Sequence, residues 1–222
     1  MKKDTAPMNI ILSVILLILL QPSVVLAGDV FTGFQSDMYK QYFGYLGART
    51  HLSEQVFIQG LTGGFGYGEH DKGGQTLHTD VQFMNLGIGL EKKIQSYAFA
   101  AMIGASGRRV DSNNSDHNRA GAFVQLEAGH WGERISVQGM LNYVTMDNFF
   151  WGRIRSMYRT GEYISAGMDV VAMGNAGYYA VQTGPVVGVP VGPVNVNLKG
   201  GYQRDSTFRD GAYSGIELGL HF

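Results

Sequence analysis

The sequence predicts an all-β protein, an antiparallel transmembrane β-barrel of about twelve strands with short turns at one end. Three observations predict it. From residue 30 onward apolar and polar residues alternate in short runs rich in glycine, which totals 32 of the 222 residues, and a period of two marks a strand whose faces meet different surroundings. Turn residues divide the chain into an even number of such runs, each near the roughly 9–11 residues that a tilted strand needs to cross a bilayer. Past residue 27 no apolar run approaches the roughly 18 residues of a spanning helix. Segments like these can enter lipid only by closing into a barrel, where every backbone group is paired.

Taken in order, the first element is an export signal at residues 1–27. Lys2 and Lys3 precede a run from Ile10 to Leu20 that is apolar except for Ser13, and Val25-Leu26-Ala27 offers small residues for cleavage after Ala27. An uncleaved anchor is the competing reading, but this core is short for a span and Pro22 interrupts the chain just beyond it. Cleavage leaves residues 28–222 as one barrel domain with 15 basic and 17 acidic residues and a net charge of −2, since Lys2, Lys3 and Asp4 are removed. That balance carries no basic footprint for a nucleic acid. Cysteine is absent, which excludes disulfides, thiolate nucleophiles and Cys-ligated metals.

Candidate strands lie at 30–36, 41–52, 56–68, 77–90, 95–109, 119–131, 135–146, 150–159, 163–173, 178–189, 192–204 and 212–222. Connections after even-numbered strands are tight, as at 53–55, 132–133, 160–162 and 190–191. Those after odd-numbered strands are longer and more polar, as at 69–76, 111–118 and 205–211. This parity puts both termini at the tight-turn end. In the sixth strand Ala120, Ala122, Val124, Leu126 and Ala128 face lipid while Arg119, Gln125 and Glu127 face inward; in the seventh Ile135, Val137, Leu141 and Tyr143 face out. At 56–68 and 77–90 both faces carry apolar residues or glycine, so the register there stays open. Aromatic residues gather near strand ends: Phe57, Tyr97, Trp131, Tyr158 and Phe222 at the turn end, and Tyr42, Tyr67, Phe149, Phe150, Tyr178, Tyr179 and Tyr202 at the other. Two belts at headgroup level are expected from such a pattern. A soluble, lipocalin-like barrel is the alternative class.

The last run places Ala212, Ser214, Ile216, Leu218, Leu220 and Phe222 on one face and Tyr213, Glu217 and His221 on the other. A chain ending in such a strand with a terminal Phe resembles bacterial outer-membrane proteins as a class, in which that strand serves as the assembly signal. The resemblance implies the bacterial outer membrane as destination and its lipid as first partner.

The residues that could act on a ligand lie on the inward faces. Trp151, Arg153, Arg155 and Arg159 share one face of the eighth strand, and arginine offers planar donors suited to carboxylates, phosphates and sugar hydroxyls. A structural reading stands beside this one. A turn centred on Gly161 sets Arg153 opposite Asp169, and Glu127 and Glu217 face the same lumen, so the arginines serve as partners for lumen acids. For a barrel hydrolase the required pattern is a serine next to a histidine with an orienting third group. Of His51, His70, His78, His117, His130 and His221 only His51 has a serine two positions on, and Ser53 falls in the tight turn at 53–55, beyond the strand face. Neither a catalytic set nor a metal or cofactor is expected; His70 and Asp71 with His78 and Asp80 read as polar loop residues.

Several stretches together resemble the BcsS family of cellulose biosynthesis proteins. They are Val30-Phe31-Thr32-Gly33-Phe34, Tyr42-Phe43-Gly44-Tyr45-Leu46-Gly47-Ala48, Gly63-Gly64-Phe65-Gly66-Tyr67-Gly68-Glu69-His70-Asp71 and Gly174-Asn175 before Tyr178. Gly184-Pro185, Gly192-Pro193, Gly200-Gly201-Tyr202 and Gly211-Ala212-Tyr213-Ser214-Gly215 complete them. One departure is visible, at Gly167-Met168-Asp169, where the family tends to Gly-Pro-Glu. The resemblance implies a non-enzymatic, accessory part in the synthesis or export of cellulose or a similar exopolysaccharide, with that polymer and its secretion machinery as partners. A narrow, porin-like channel for small anionic or oligosaccharide solutes is the alternative, and a barrel hydrolase the third reading.

Overall fold

The computed structural model describes residues 28–39, 41–70, 76–112, 115–206 and 210–222. The export signal expected at 1–27 lies outside them, as does Asp71. Twelve strands run β1 (Gly28–Asp37), β2 (Tyr42–His51), β3 (Val56–His70), β4 (Thr76–Ile94), β5 (Tyr97–Ser112), β6 (Ser115–Trp131), β7 (Ile135–Val144), β8 (Phe149–Arg159), β9 (Ser165–Asn175), β10 (Tyr178–Val191), β11 (Val194–Asp205) and β12 (Gly211–His221). Each pairs antiparallel with its sequence neighbour, and β1 pairs with β12 from Asp29 opposite His221 to Asp37 opposite Tyr213, closing the barrel. Closure removes the sheet edges that lipid could not satisfy.

The two faces of this cylinder invert the pattern of a water-soluble protein. Outside, Met84, Leu86, Ile88 and Leu90 of β4 are exposed at every second position, as are Val124 and Leu126 of β6, Leu141 of β7 and Ile154 of β8. Inside, Gln59, Gln125, Arg155, Asp169, Gln182, Gln203 and Glu217 are buried. Exposed Leu and Ile with buried Arg, Asp and Glu is the arrangement of a barrel solvated by hydrocarbon, which removes the lipocalin-like alternative.

The structure corrects several expectations. Strand continues into the stretches expected as polar loops, through Glu69 and His70, at Thr76, through Asp111 and Ser112 and from Ser115 to Asn118, so that β3–β6 are longer than their neighbours. Backbone pairing there outcompetes the loop preference of Asp and Asn, because each added pair of residues extends an existing ladder. The turn between β10 and β11 is at Gly192, whose φ of +60° suits glycine, and not at 190–191. Register at 56–68 and 77–90 is settled with Phe57, Gln59, Phe83 and Asn85 inward and Ile58, Met84 and Leu86 outward. Phe57 is therefore no belt residue; it is fully buried in the lumen against Met102 and Phe123. By strand parity Tyr67, Trp131, Phe149 and Tyr178 also point inward, leaving Tyr97, Tyr158 and Phe222 at the turn end and Tyr42, Phe150, Tyr179 and Tyr202 at the loop end to meet the headgroups.

Candidate functional site

Alternation aims Arg153 and Arg155 of β8, Asp169 of β9, Lys199 of β11 and Glu217 of β12 into one region of the lumen. Arg153 donates through Nε and Nη2 to the two oxygens of Asp169, at 2.8 and 2.7 Å. The same guanidinium reaches both oxygens of Glu217 at 2.9 Å. Arg155 lies 2.8 Å from Asp169 and 2.8 Å from Glu217, and the Lys199 ammonium lies 3.0 Å from Glu217. Three cations thus share two carboxylates, and Asp169 is 1% exposed. Groups buried this deeply persist only if paired. One donor is left over, since the buried Nε of Arg155 has no partner.

A second network stands toward the turn end. Arg49 of β2 donates to the side-chain oxygen of Gln59 at 2.8 and 2.6 Å and bonds Glu127 of β6. Gln125 donates to Glu127 at 2.6 Å and accepts from Asn142 at 3.1 Å. Glu91 is shared by Lys93 at 3.0 Å, His51 at 3.5 Å and Arg49 at 3.6 Å. The Arg49 guanidinium also sits 4.2 Å from the centre of the Phe57 ring, a cation–π contact that caps the apolar cluster of Phe57, Met102 and Phe123.

Both networks cross open space. β2 and β6 are four strands apart around the ring, as are β8 and β12, so Arg49–Glu127 and Arg153–Glu217 are bridges through the lumen and not along its wall. Tyr45 of β2 stands among Arg153, Glu217 and Asp169, which brings opposite sides of the barrel into contact.

Of the residues singled out in the sequence, Arg153, Arg155, Asp169 and Glu217 come together. Glu127 belongs to the second network. Trp151 faces the lumen partly exposed, in register with Asn142 and Met173. Arg159 stands apart, exposed at the turn end of β8. The pairing offset also differs: Asp169 is opposite Arg155, and Val171 is opposite Arg153. The β8–β9 turn runs through 160–164 and is not centred on Gly161, yet the long Arg153 side chain reaches Asp169 diagonally. Arg49, Gln59, Tyr45 and Lys199 were missed. Arg49 and Tyr45 share the inward parity of β2, a signal that was present, but cross-lumen partners have no signature in the order of residues.

The fold also makes a Ser–His pair that spacing along one strand could not reveal. Ser96 Oγ in the β4–β5 turn lies 3.2 Å from His130 Nδ1 on β6, with the Tyr97 ring packed on the imidazole at 4.6 Å between centroids. Among the described residues no carboxylate is hydrogen-bonded to His130, so the pair lacks the third group that orients a catalytic histidine.

Comparison with known proteins adds to this geometry. A family model described as cellulose biosynthesis protein BcsS matches residues 29–222. A search of curated proteins found no match. Among solved structures, the β domain of the Bordetella autotransporter Brka is similar with a TM-score of 0.57 and 13% identity, covering 89% of this chain and 100% of that one. The transport unit of the autotransporter AIDA-I from Escherichia coli gives 0.51 and 12%, covering 91% and 92%. LpxR from Salmonella typhimurium gives 0.51 and 9%, covering 87% and 100%. At such identities the likeness is one of fold, that of outer-membrane barrels.

Proposed function

The chain belongs to the cellulose biosynthesis protein BcsS family, and from that premise we propose that it is a non-enzymatic accessory barrel of the bacterial outer membrane, handling cellulose or a similar exopolysaccharide after its synthesis. The observation that carries this reading is the obstructed lumen. Ion pairs join β2 to β6 and β8 to β12 across the interior, and Phe57 and Phe123 are essentially inaccessible. A barrel filled in this way is suited to hold or organise a polymer at the surface rather than to pass solutes. The lumen-facing Trp151, with Arg153, Arg155, Asp169, Glu127 and Glu217 around the interior, supplies an aromatic surface and hydrogen-bonding groups for sugar hydroxyls. Arg159, exposed at the turn end, is the least placed to contribute.

A second reading, a narrow channel for small anionic solutes, draws on the excess of cations where Arg153, Arg155 and Lys199 meet only Asp169 and Glu217. Gene deletion separates the two. The accessory role requires reduced or reorganised surface cellulose while the synthase in isolated inner membranes keeps its activity. Normal surface cellulose together with lost uptake of a small acidic sugar would instead establish the channel.

A further inference from the structure

A set of lumen rings adjoins the first charge network through Tyr45. Phe31 of β1, Tyr45 and Phe43 of β2 and Phe83 of β4 form a contiguous series. Phe31 and Tyr45 have ring centroids 6.4 Å apart, Tyr45 and Phe43 5.6 Å, and Phe43 and Phe83 6.1 Å with planes only 10° apart. Phe65, in register with Phe43, extends the series toward the loop end.

What sets these rings apart is how glycines position them. Phe31 is in register with Gly47, Tyr45 with Gly33 and Phe83 with Gly63. A Cβ at Gly47 would stand 2.3 Å from the Phe31 ring, one at Gly33 2.6 Å from the Tyr45 ring, and one at Gly63 2.6 Å from the Phe83 ring. Each ring therefore reaches sideways over the next strand and occupies the space of a missing side chain. A side chain that spends its length crossing to the neighbouring strand lies along the wall and does not project into the lumen. Gly63 also lets Phe83 of β4 meet Phe43 of β2 across the intervening strand. The result is a low aromatic platform over β1–β4 whose rings keep part of their surface open. Phe57 and Phe123, by contrast, are 0% and 1% exposed and behave as ordinary core.

Lumen-facing apolar surface that remains open is costly in a polar interior and marks a binding surface. We propose that this platform binds a neutral pyranose chain, the apolar C–H face of successive sugar rings stacking on Phe31, Tyr45, Phe43 and Phe83. The inference rests on the polysaccharide reading above and narrows it to a site. The equatorial hydroxyls of such a chain radiate from the edges of its rings, roughly parallel to the aromatic surface, toward the polar side chains that flank it. At the platform's edge the Tyr45 side chain touches the Arg153–Glu217 group, which sets polar groups beside the aromatic surface. A neutral polymer suits a site whose charges are nearly all satisfied by each other, because it competes for none of them.

The test is calorimetric titration of the purified, detergent-solubilised full-length barrel with cellohexaose. Wild-type protein is expected to bind, and Phe83→Leu and Phe43→Leu each to weaken binding roughly three- to tenfold, the value of one aromatic contact. Phe83→Trp should retain or improve it, since leucine keeps apolar volume but only an aromatic ring offers a flat face. Unchanged heat-dependent gel mobility certifies that each variant is folded. Absence of cellohexaose binding to wild-type protein, or leucine variants that bind as well as wild type, overturns the proposal. So does binding of an acidic oligosaccharide in its place that is lost in Arg155→Gln. These failures leave the accessory role standing if the deletion strain still has altered cellulose. Binding with normal cellulose in that strain keeps the platform and removes the role.

Discussion

Asp169 is the residue on which the largest single effect should fall. It sits 1% exposed beneath two guanidinium groups, and Glu217 is already shared among Arg153, Arg155 and Lys199. Changing it to Asn keeps the shape and removes the charge, leaving three cations to one carboxylate in a poorly solvated interior. Breaking a buried pair from one side costs about 3–5 kcal/mol, so Asp169→Asn should lower the temperature at which the barrel loses its folded gel mobility by far more than Arg159→Ala. An Asp169→Asn barrel as heat-resistant as wild type would show that water reaches this cluster freely. The candidate site was partly legible at this scale. Strand parity alone puts Arg153, Arg155, Asp169 and Glu217 in one lumen. It could not show that the two arginines share one aspartate, because a register offset of two residues preserves every facing while changing every partner.

Along a single strand, β5 tests how glycine is used. An added Cβ at Gly104, facing inward, would stand 2.2 Å from the Leu86 carbonyl oxygen and 2.5 Å from the Phe123 ring, whereas at Gly107, facing out, it would meet nothing within 4 Å. A backbone carbonyl in a continuous ladder cannot move aside. Gly104→Ala should therefore destabilise by about 1–3 kcal/mol, the usual range for overpacking, while Gly107→Ala should be neutral or slightly stabilising through lower chain entropy. Melting followed by circular dichroism distinguishes them, and equal losses at both positions would mean that glycine is required in β5 for its backbone alone. Elements were the most legible level of this chain. Alternation locates all twelve strands because lipid and lumen impose opposite preferences on adjacent residues. It misplaces ends such as those of β3–β6, where hairpins rise past the bilayer and neither face has lipid to select apolar residues.

For the molecule as a whole, the question that strand counting leaves open is whether the cylinder conducts. Twelve strands alone would enclose a water-filled bore, and the inward side chains decide what remains of it. Arg49–Glu127 and Arg153–Glu217 each span four strands, while Phe57, Met102 and Phe123 fill the space beside Arg49. None of this is written in any one segment, since the partners lie 78 and 64 residues apart. Wild-type protein in planar bilayers should accordingly show little steady conductance. Removing both members of a bridge leaves the net charge unchanged, so Arg49→Ala with Glu127→Ala should fold, and Arg153→Ala with Glu217→Ala should fold with reduced stability, because Lys199 then loses its carboxylate. Combining the two pairs should raise conductance well above that of either alone, because each bridge blocks a different depth. The opened lumen should favour anions, as Arg155 and Lys199 then face Asp169 with Glu217 gone. A wild-type barrel that conducts as freely as the quadruple variant would mean that the bridges part readily in the membrane, and the diffusion channel would then be the better account of this protein.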